Sequence, residues 1–212
     1  MTKISAMSLA ALSLTTSAAL AGNITIANGD FSTPTETGTF TTMSGNDLPG
    51  WTIGADTTID HIGNYWQAPP PGGQSVDLDG SYTASSIFQD IYVPVAGTVT
   101  VNFWLAGNPD GGDPSKSLAV WFSEEVDQFS FSTSGHDKNS MGWTYETATF
   151  IAPSAATYTL AFRSQDDPQS AFGPVIAGVT ANASGSVPDA GLTAVLLGAA
   201  VTGLGALRRK IA

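Results

Sequence analysis

Cysteine is absent from the 212 residues, which removes disulfides, thiol nucleophiles and thiolate metal sites together. Positive charge is scarce: seven Lys and Arg stand against 18 Asp and Glu, for a net charge of −11. This excludes a nucleic-acid binder that works by phosphate neutralisation, because the long-range field has the wrong sign. Charged residues of both signs reach only 12%, and histidine occurs twice, at His61 and His136. No G-x-S-x-G elbow, H-E-x-x-H pair or phosphate-cradling glycine loop occurs. Asp60-His61 offers half of a hydrolytic dyad, with no nucleophile to single out among many Ser and Thr. The pairs Glu124/Glu125 and Asp166/Asp167 supply two carboxylates, as glycoside hydrolysis requires, yet adjacent acids on an acidic chain read as solvated. The chain does not read as an enzyme.

What is present begins at the two ends. Lys3 and the uncharged apolar run Ile4 to Leu20 form a secretory leader, and Ala19-Leu20-Ala21 is an A-x-A site for signal peptidase, with maturation at Gly22. An uncleaved N-terminal anchor is the alternative. At the other end Ala190 to Leu207 is apolar, spans roughly 27 Å as a helix, and is followed by Arg208, Arg209 and Lys210. It reads as a transmembrane helix whose basic flank stays on the cytoplasmic side, leaving the preceding domain outside. A buried C-terminal helix is the alternative. The expected organisation is a signal peptide over 1–21, one domain over 22–186 and a tail over 187–212.

Residues 22–186 hold 17 acidic and 3 basic residues and no helical period. Two-residue alternation is clear in Val99, Val101, Phe103, Leu105; in Leu118, Val120, Phe122; in Phe129, Phe131; and in Tyr158, Leu160, Phe162. Further strands are expected at 24–27, 51–53, 58–62, 75–79, 85–93, 144–151 and 175–181. Turn residues punctuate them, as in Leu48-Pro49-Gly50, Pro69 to Gly73 and Asn108 to Pro114. About ten short strands predict an all-β, antiparallel jelly-roll sandwich.

Aromatic residues supply the candidate ligand sites, since sugars lay C–H faces on aromatic rings. Trp104 and Trp121 fall on the strand faces opposite their hydrophobic neighbours, so each is either an exposed platform or a core residue of a covered second face. Tyr65, Trp66 and Gln67 lie in a Gly/Pro-rich stretch, read either as a ligand loop or as a plug closing one end of the sandwich. Trp51 and Trp143 follow glycines at strand starts and read as core.

Two resemblances extend this reading. Val187-Pro188-Asp189-Ala190-Gly191, the apolar run and Arg-Arg-Lys resemble the VPDSG variant of the PEP-CTERM sorting signals, with Ala190 where that variant has Ser. That likeness implies recognition and cleavage by a membrane exosortase, and a bacterium with a polysaccharide matrix. Between the ends, Asn28-Gly29-Asp30-Phe31, Leu48-Pro49-Gly50-Trp51, Asp60-His61-Ile62-Gly63, Tyr65-Trp66-Gln67, Leu105 to Gly112 and Phe172-Gly173-Pro174 resemble the choice-of-anchor C surface domains. These are similar to the plant cell-wall proteins of domain-of-unknown-function family 642, with galactose-binding-like jelly rolls. The resemblance implies association with extracellular polysaccharide. Such folds often hold a structural Ca²⁺ through one acid after the Asn-Gly-Asp-Phe motif and another in the last strand; here those positions are Ser32 and Ala177, so no cofactor is expected. The expectation is an exported, surface- or matrix-held, non-catalytic polysaccharide binder. The alternatives are a structural matrix scaffold without a sugar ligand and, last, a glycan hydrolase.

Overall fold

The structure is a computed structural model that describes residues 19–81 and 83–186. Residues 1–18, most of the segment expected as a signal peptide, and residues 187–212, including the expected 190–207 helix, lie outside the described residues. Among the described residues no helix is long and apolar enough to cross a membrane.

Fourteen strands form the described fold: β1 (Ala19–Ile24), β2 (Phe40–Met43), β3 (Thr52–Ile53), β4 (Ile59–Ile62), β5 (Ser75–Asp77), β6 (Asp79–Gly80) and β7 (Thr83–Ala84), then β8 (Ser86–Val93), β9 (Gly97–Gly107), β10 (Ser115–Phe122), β11 (Glu125–Ser132), β12 (Thr144–Ala152), β13 (Ala156–Ser164) and β14 (Pro174–Ser186). One sheet has seven strands, in the order β12-β9-β14-β5-β4-β2 with β1 on β14. A second has five, in the order β11-β10-β13-β8-β3, and β6 with β7 forms a two-stranded ribbon. The ladders joining β2 through β14 are antiparallel. This is the expected jelly-roll sandwich.

Alternation drives the packing. Val99, Val101, Phe103 and Leu105 point inward from β9, and Leu118, Val120 and Phe122 point inward from β10. The Phe103 ring meets Phe162 across the sandwich at 5.2 Å, edge to face, and Phe122 stacks on Phe150 at 5.4 Å. Trp51 is buried against Phe31 and Phe162, as its position after Gly50 implies.

Two strand expectations need correction, and one strand was not foreseen. Residues 25–27 are not a strand: β1 ends at Ile24, and Asn28, at φ 48°, turns the chain. The Asn28 side chain explains this turn, because its Oδ1 accepts the Thr33 N–H while its Nδ2 donates to the Thr33 and Pro49 carbonyls. The edge strand β2 was not expected, since three of its four residues are exposed and it shows no apolar alternation. The segment expected as one strand over 75–79 breaks after Asp77, where the Asp77 carboxylate accepts the Asp79 N–H and redirects the chain into β6. Replacing Asn28 by alanine is expected to destabilise the domain by about 1–3 kcal/mol in urea unfolding, since three local hydrogen bonds are lost and a positive φ must be held without them.

Candidate functional site

Cross-strand register builds one continuous row on the outer face of the seven-stranded sheet. Phe40 pairs with Ile62, Ile62 with Ser75, Ser75 with Ala177, Ala177 with Trp104, and Trp104 with Tyr145. Six strands at a spacing of ~4.8 Å put about 24 Å between the two ends. The ends are aromatic and open: Phe40 is 41% and Tyr145 56% exposed. Trp104 is half-buried and holds Tyr145 with ring centroids 5.2 Å apart. The bulge in β14 makes room for it: Gly178 has φ 58°, and a Cβ there would lie 3.2 Å from Trp104 Cδ1 and 2.9 Å from Pro71 Cγ.

Beside Trp104 and Tyr145 the face continues without charge. Successive rows read Thr147–Asn102–Thr180, Thr149–Thr100–Asn182 and Ile151–Thr98–Ser184, and the Thr147 hydroxyl donates to Asn102 Oδ1 at 2.9 Å. The sheet thus presents an aromatic pair next to a field of hydroxyls and amides.

The loop after β4 covers the middle of the row. Trp66 is only 6% exposed and donates through Nε1 to Ser75 Oγ at 3.0 Å. It closes the outer face there as core, so its ring is no open platform. Gln67 is an exposed clamp whose Oε1 accepts the Met141 N–H and whose carbonyl accepts from Trp143 Nε1, which leaves its amide tied to the 134–143 loop. Tyr65 is enclosed by Phe40 and Trp66, and the Lys138 ammonium lies 3.9 Å over its ring. Its hydroxyl donates to Asp110 at 2.6 Å and accepts from Lys138, which also pairs with Asp110 at 3.0 Å. Together these groups wall a cleft of about 210 Å³ that includes Asp60, Asp77, Asn108 and Phe172.

Trp121 lies elsewhere. The connection after β9 crosses to the other sheet instead of forming a hairpin, so Trp104 and Trp121 stand on opposite outer faces. Asn-Pro-Asp-Gly-Gly suits either path, which is why spacing alone does not decide.

The expected half-dyad comes apart for the same reason of period two. His61 is buried on the inner side of β4, with Nε2 2.7 Å from the Phe31 carbonyl, whereas Asp60 on the outer side accepts the Thr42 hydroxyl. The calcium position implied by the fold has no adequate donor set: Asp30 is taken up by Ser32, and Ala177 is a buried sheet residue without a carboxylate. Among the described residues no three His, Asp or Glu side chains gather as metal ligands.

Sequence reasoning missed a buried polar layer under the cleft. Asp77 is fully buried and accepts from the Asp79 and Gly173 N–H groups and from Asn108 Nδ2. Burial holds its carboxyl well above the ordinary range, against the pull of those donors. Lys116 is buried too, donating to the Gly111 and Phe172 carbonyls. Lys116 stands on the inward face of an alternating strand, and that position was the available signal. No hydrogen bond of good geometry reaches either Asp79 oxygen among the described residues, and burial pushes its pKa from 3.8 to about 6, against a weaker pull from the nearby Ser164 and Ser170 hydroxyls. A raised native pKa stabilises the fold fully below about pH 4, and this contribution is lost as pH rises through about 6. Wild type is therefore expected to be less stable at pH 7.5 than at pH 5, and Asp79→Asn to reduce that difference by about 1 kcal/mol in urea titrations, the other raised carboxyls keeping the remainder.

A family profile described as "Protein of unknown function (DUF642)" matches residues 24–182, and a "VPDSG-CTERM motif" profile matches 186–211. No curated protein matches the chain. Among solved structures the chain is similar to the Stig cyclase Fisc from Fischerella sp. TAU, at 17% identity over 79% of this chain and 100% of that one, with a TM-score of 0.51. It is also similar to a family 35 carbohydrate binding module from Clostridium thermocellum (10% identity, 68% and 98% coverage, TM-score 0.45). A third similar structure is the C-terminal CBM6 of LamC from Zobellia galactanivorans (15%, 78% and 99%, TM-score 0.40). Likeness at such identities establishes the sandwich fold alone. The family match covers most of the chain: this protein belongs to the DUF642 family and ends in a VPDSG-CTERM sorting motif, the address of an exported protein.

Proposed function

We propose that the domain is a non-catalytic binder of extracellular polysaccharide, and that the glycan lies on the outer face of the seven-stranded sheet. The observation that carries this reading is the Trp104–Tyr145 pair beside the uncharged Thr/Asn/Ser field. A sugar ring has an apolar C–H face and an equatorial rim of hydroxyls, and this surface offers a partner to each. The surrounding acidic charge does not oppose a neutral ligand. In this reading the leader over 1–21 is removed by signal peptidase, and the 190–207 helix holds the protein in the membrane until an exosortase acts at Val187-Pro188-Asp189.

The test is retention of residues 22–186 on insoluble polysaccharides and on a glycan array. Binding that disappears in Trp104→Ala/Tyr145→Ala, with the fold intact, supports the reading. Concentration-dependent self-association without glycan retention would instead make the protein a matrix scaffold.

A further inference from the structure

The outer face of the five-stranded sheet carries its own row: Val126 pairs with Trp121, Trp121 with Ala161, Ala161 with Phe88, and Phe88 with Thr52. Ala161 is the small residue beside the indole. With Ser86, Ser123, Thr159 and Arg163 it lines a depression of about 290 Å³, room for one or two sugar rings. Trp121 itself lines the depression, and its Nε1 is buried with no acceptor among the described residues.

Charge singles the place out. Residues 22–186 contain only three cations, Lys116, Lys138 and Arg163. Lys116 is buried on two carbonyls, and Lys138 is paired with Asp110 and laid on Tyr65. Arg163 is exposed, and the ion pair found among the described residues does not involve it. In a strongly acidic chain, the cation left for an external partner stands at the edge of an aromatic depression rimmed by hydroxyls. A guanidinium takes a carboxylate in a two-pronged hydrogen bond, and the neighbouring indole takes the ring that bears it.

We propose that this depression is a second glycan site, selective for a sugar carrying a carboxylate, that is, a uronic acid residue in an otherwise neutral polysaccharide. The net charge of −11 selects against densely charged polyanions, whereas one carboxylate at Arg163 is compensated locally. The site does not rest on the Trp104–Tyr145 reading, since it lies on the opposite sheet. With both faces in use, one domain would bridge two chains of a matrix.

The experiment is calorimetric titration with xylotetraose bearing one glucuronic acid residue and with the same oligosaccharide after carboxyl reduction. Wild type is expected to prefer the acidic form by at least tenfold, and Arg163→Gln, an exposed substitution, to remove the preference. Trp121→Ala is expected to weaken both forms, and Trp104→Ala/Tyr145→Ala to leave the preference unchanged. Equal affinity for the two forms, no binding of either by folded wild type, or a preference surviving Arg163→Gln would each overturn the proposal.

Discussion

Replacing Trp104 and Tyr145 together by alanine is expected to weaken polysaccharide retention by about two orders of magnitude, close to 3 kcal/mol. Two aromatic faces are lost where a glycan would bury its C–H surface, while the Thr and Asn hydrogen bonds that remain compete with water and add little alone. The single changes should differ in an informative way. Tyr145 is largely exposed, so Tyr145→Ala acts on binding with little effect on folding. Trp104 is half-buried beside Pro71 and Gly178, so Trp104→Ala should also cost about 1–2 kcal/mol of stability. A titration of both variants, with unfolding curves alongside, separates the two contributions. Retention unchanged in the folded double variant would remove this face as the binding surface.

Local pattern carries much of this fold. Alternation in Val99 to Leu105, Leu118 to Phe122 and Tyr158 to Phe162 places the inner faces of β9, β10 and β13, and it places Trp104 and Trp121 on outer faces. It says nothing of which sheet receives each strand. That depends on long-range pairing, such as β14 between β9 and β5, which brings Ala177 beside Trp104 and completes the row from Phe40 to Tyr145. Tyr145 was not singled out from sequence because it alternates with Glu146 and Thr147, and an exposed tyrosine on an edge strand gives no local signal. Trp66 shows the opposite limit: its Gly/Pro-rich surroundings suggest an open loop, yet the Ser75 hydroxyl below gives the indole N–H a buried partner. The Arg163 depression is equally illegible, because its walls come from β8, β10 and β13 and the turn residue Ser123.

Asp77→Ala is expected to be the most damaging substitution on the outer face, destabilising the domain by about 3–5 kcal/mol. In the native fold one buried carboxylate satisfies the Asp79 and Gly173 N–H groups and Asn108 Nδ2. Alanine would leave those three donors without the acceptor that now joins the 108–112 and 170–173 loops to β5. The same loops position Lys116, through the Gly111 and Phe172 carbonyls, and Asp110, through the Asn108 side chain. Loss of Asp77 should therefore loosen the Tyr65 cleft as well as lower the unfolding midpoint. Asp77→Asn distinguishes charge from hydrogen bonding, since its Oδ1 can still accept the two backbone N–H groups. Its amide would oppose Asn108 Nδ2 with a second donor, so rescue should be partial, recovering about half of the loss in urea unfolding. Full rescue would show that the Asn108 bond contributes nothing, and no rescue would show that the clash of two donors at Asn108 costs as much as the two backbone bonds return.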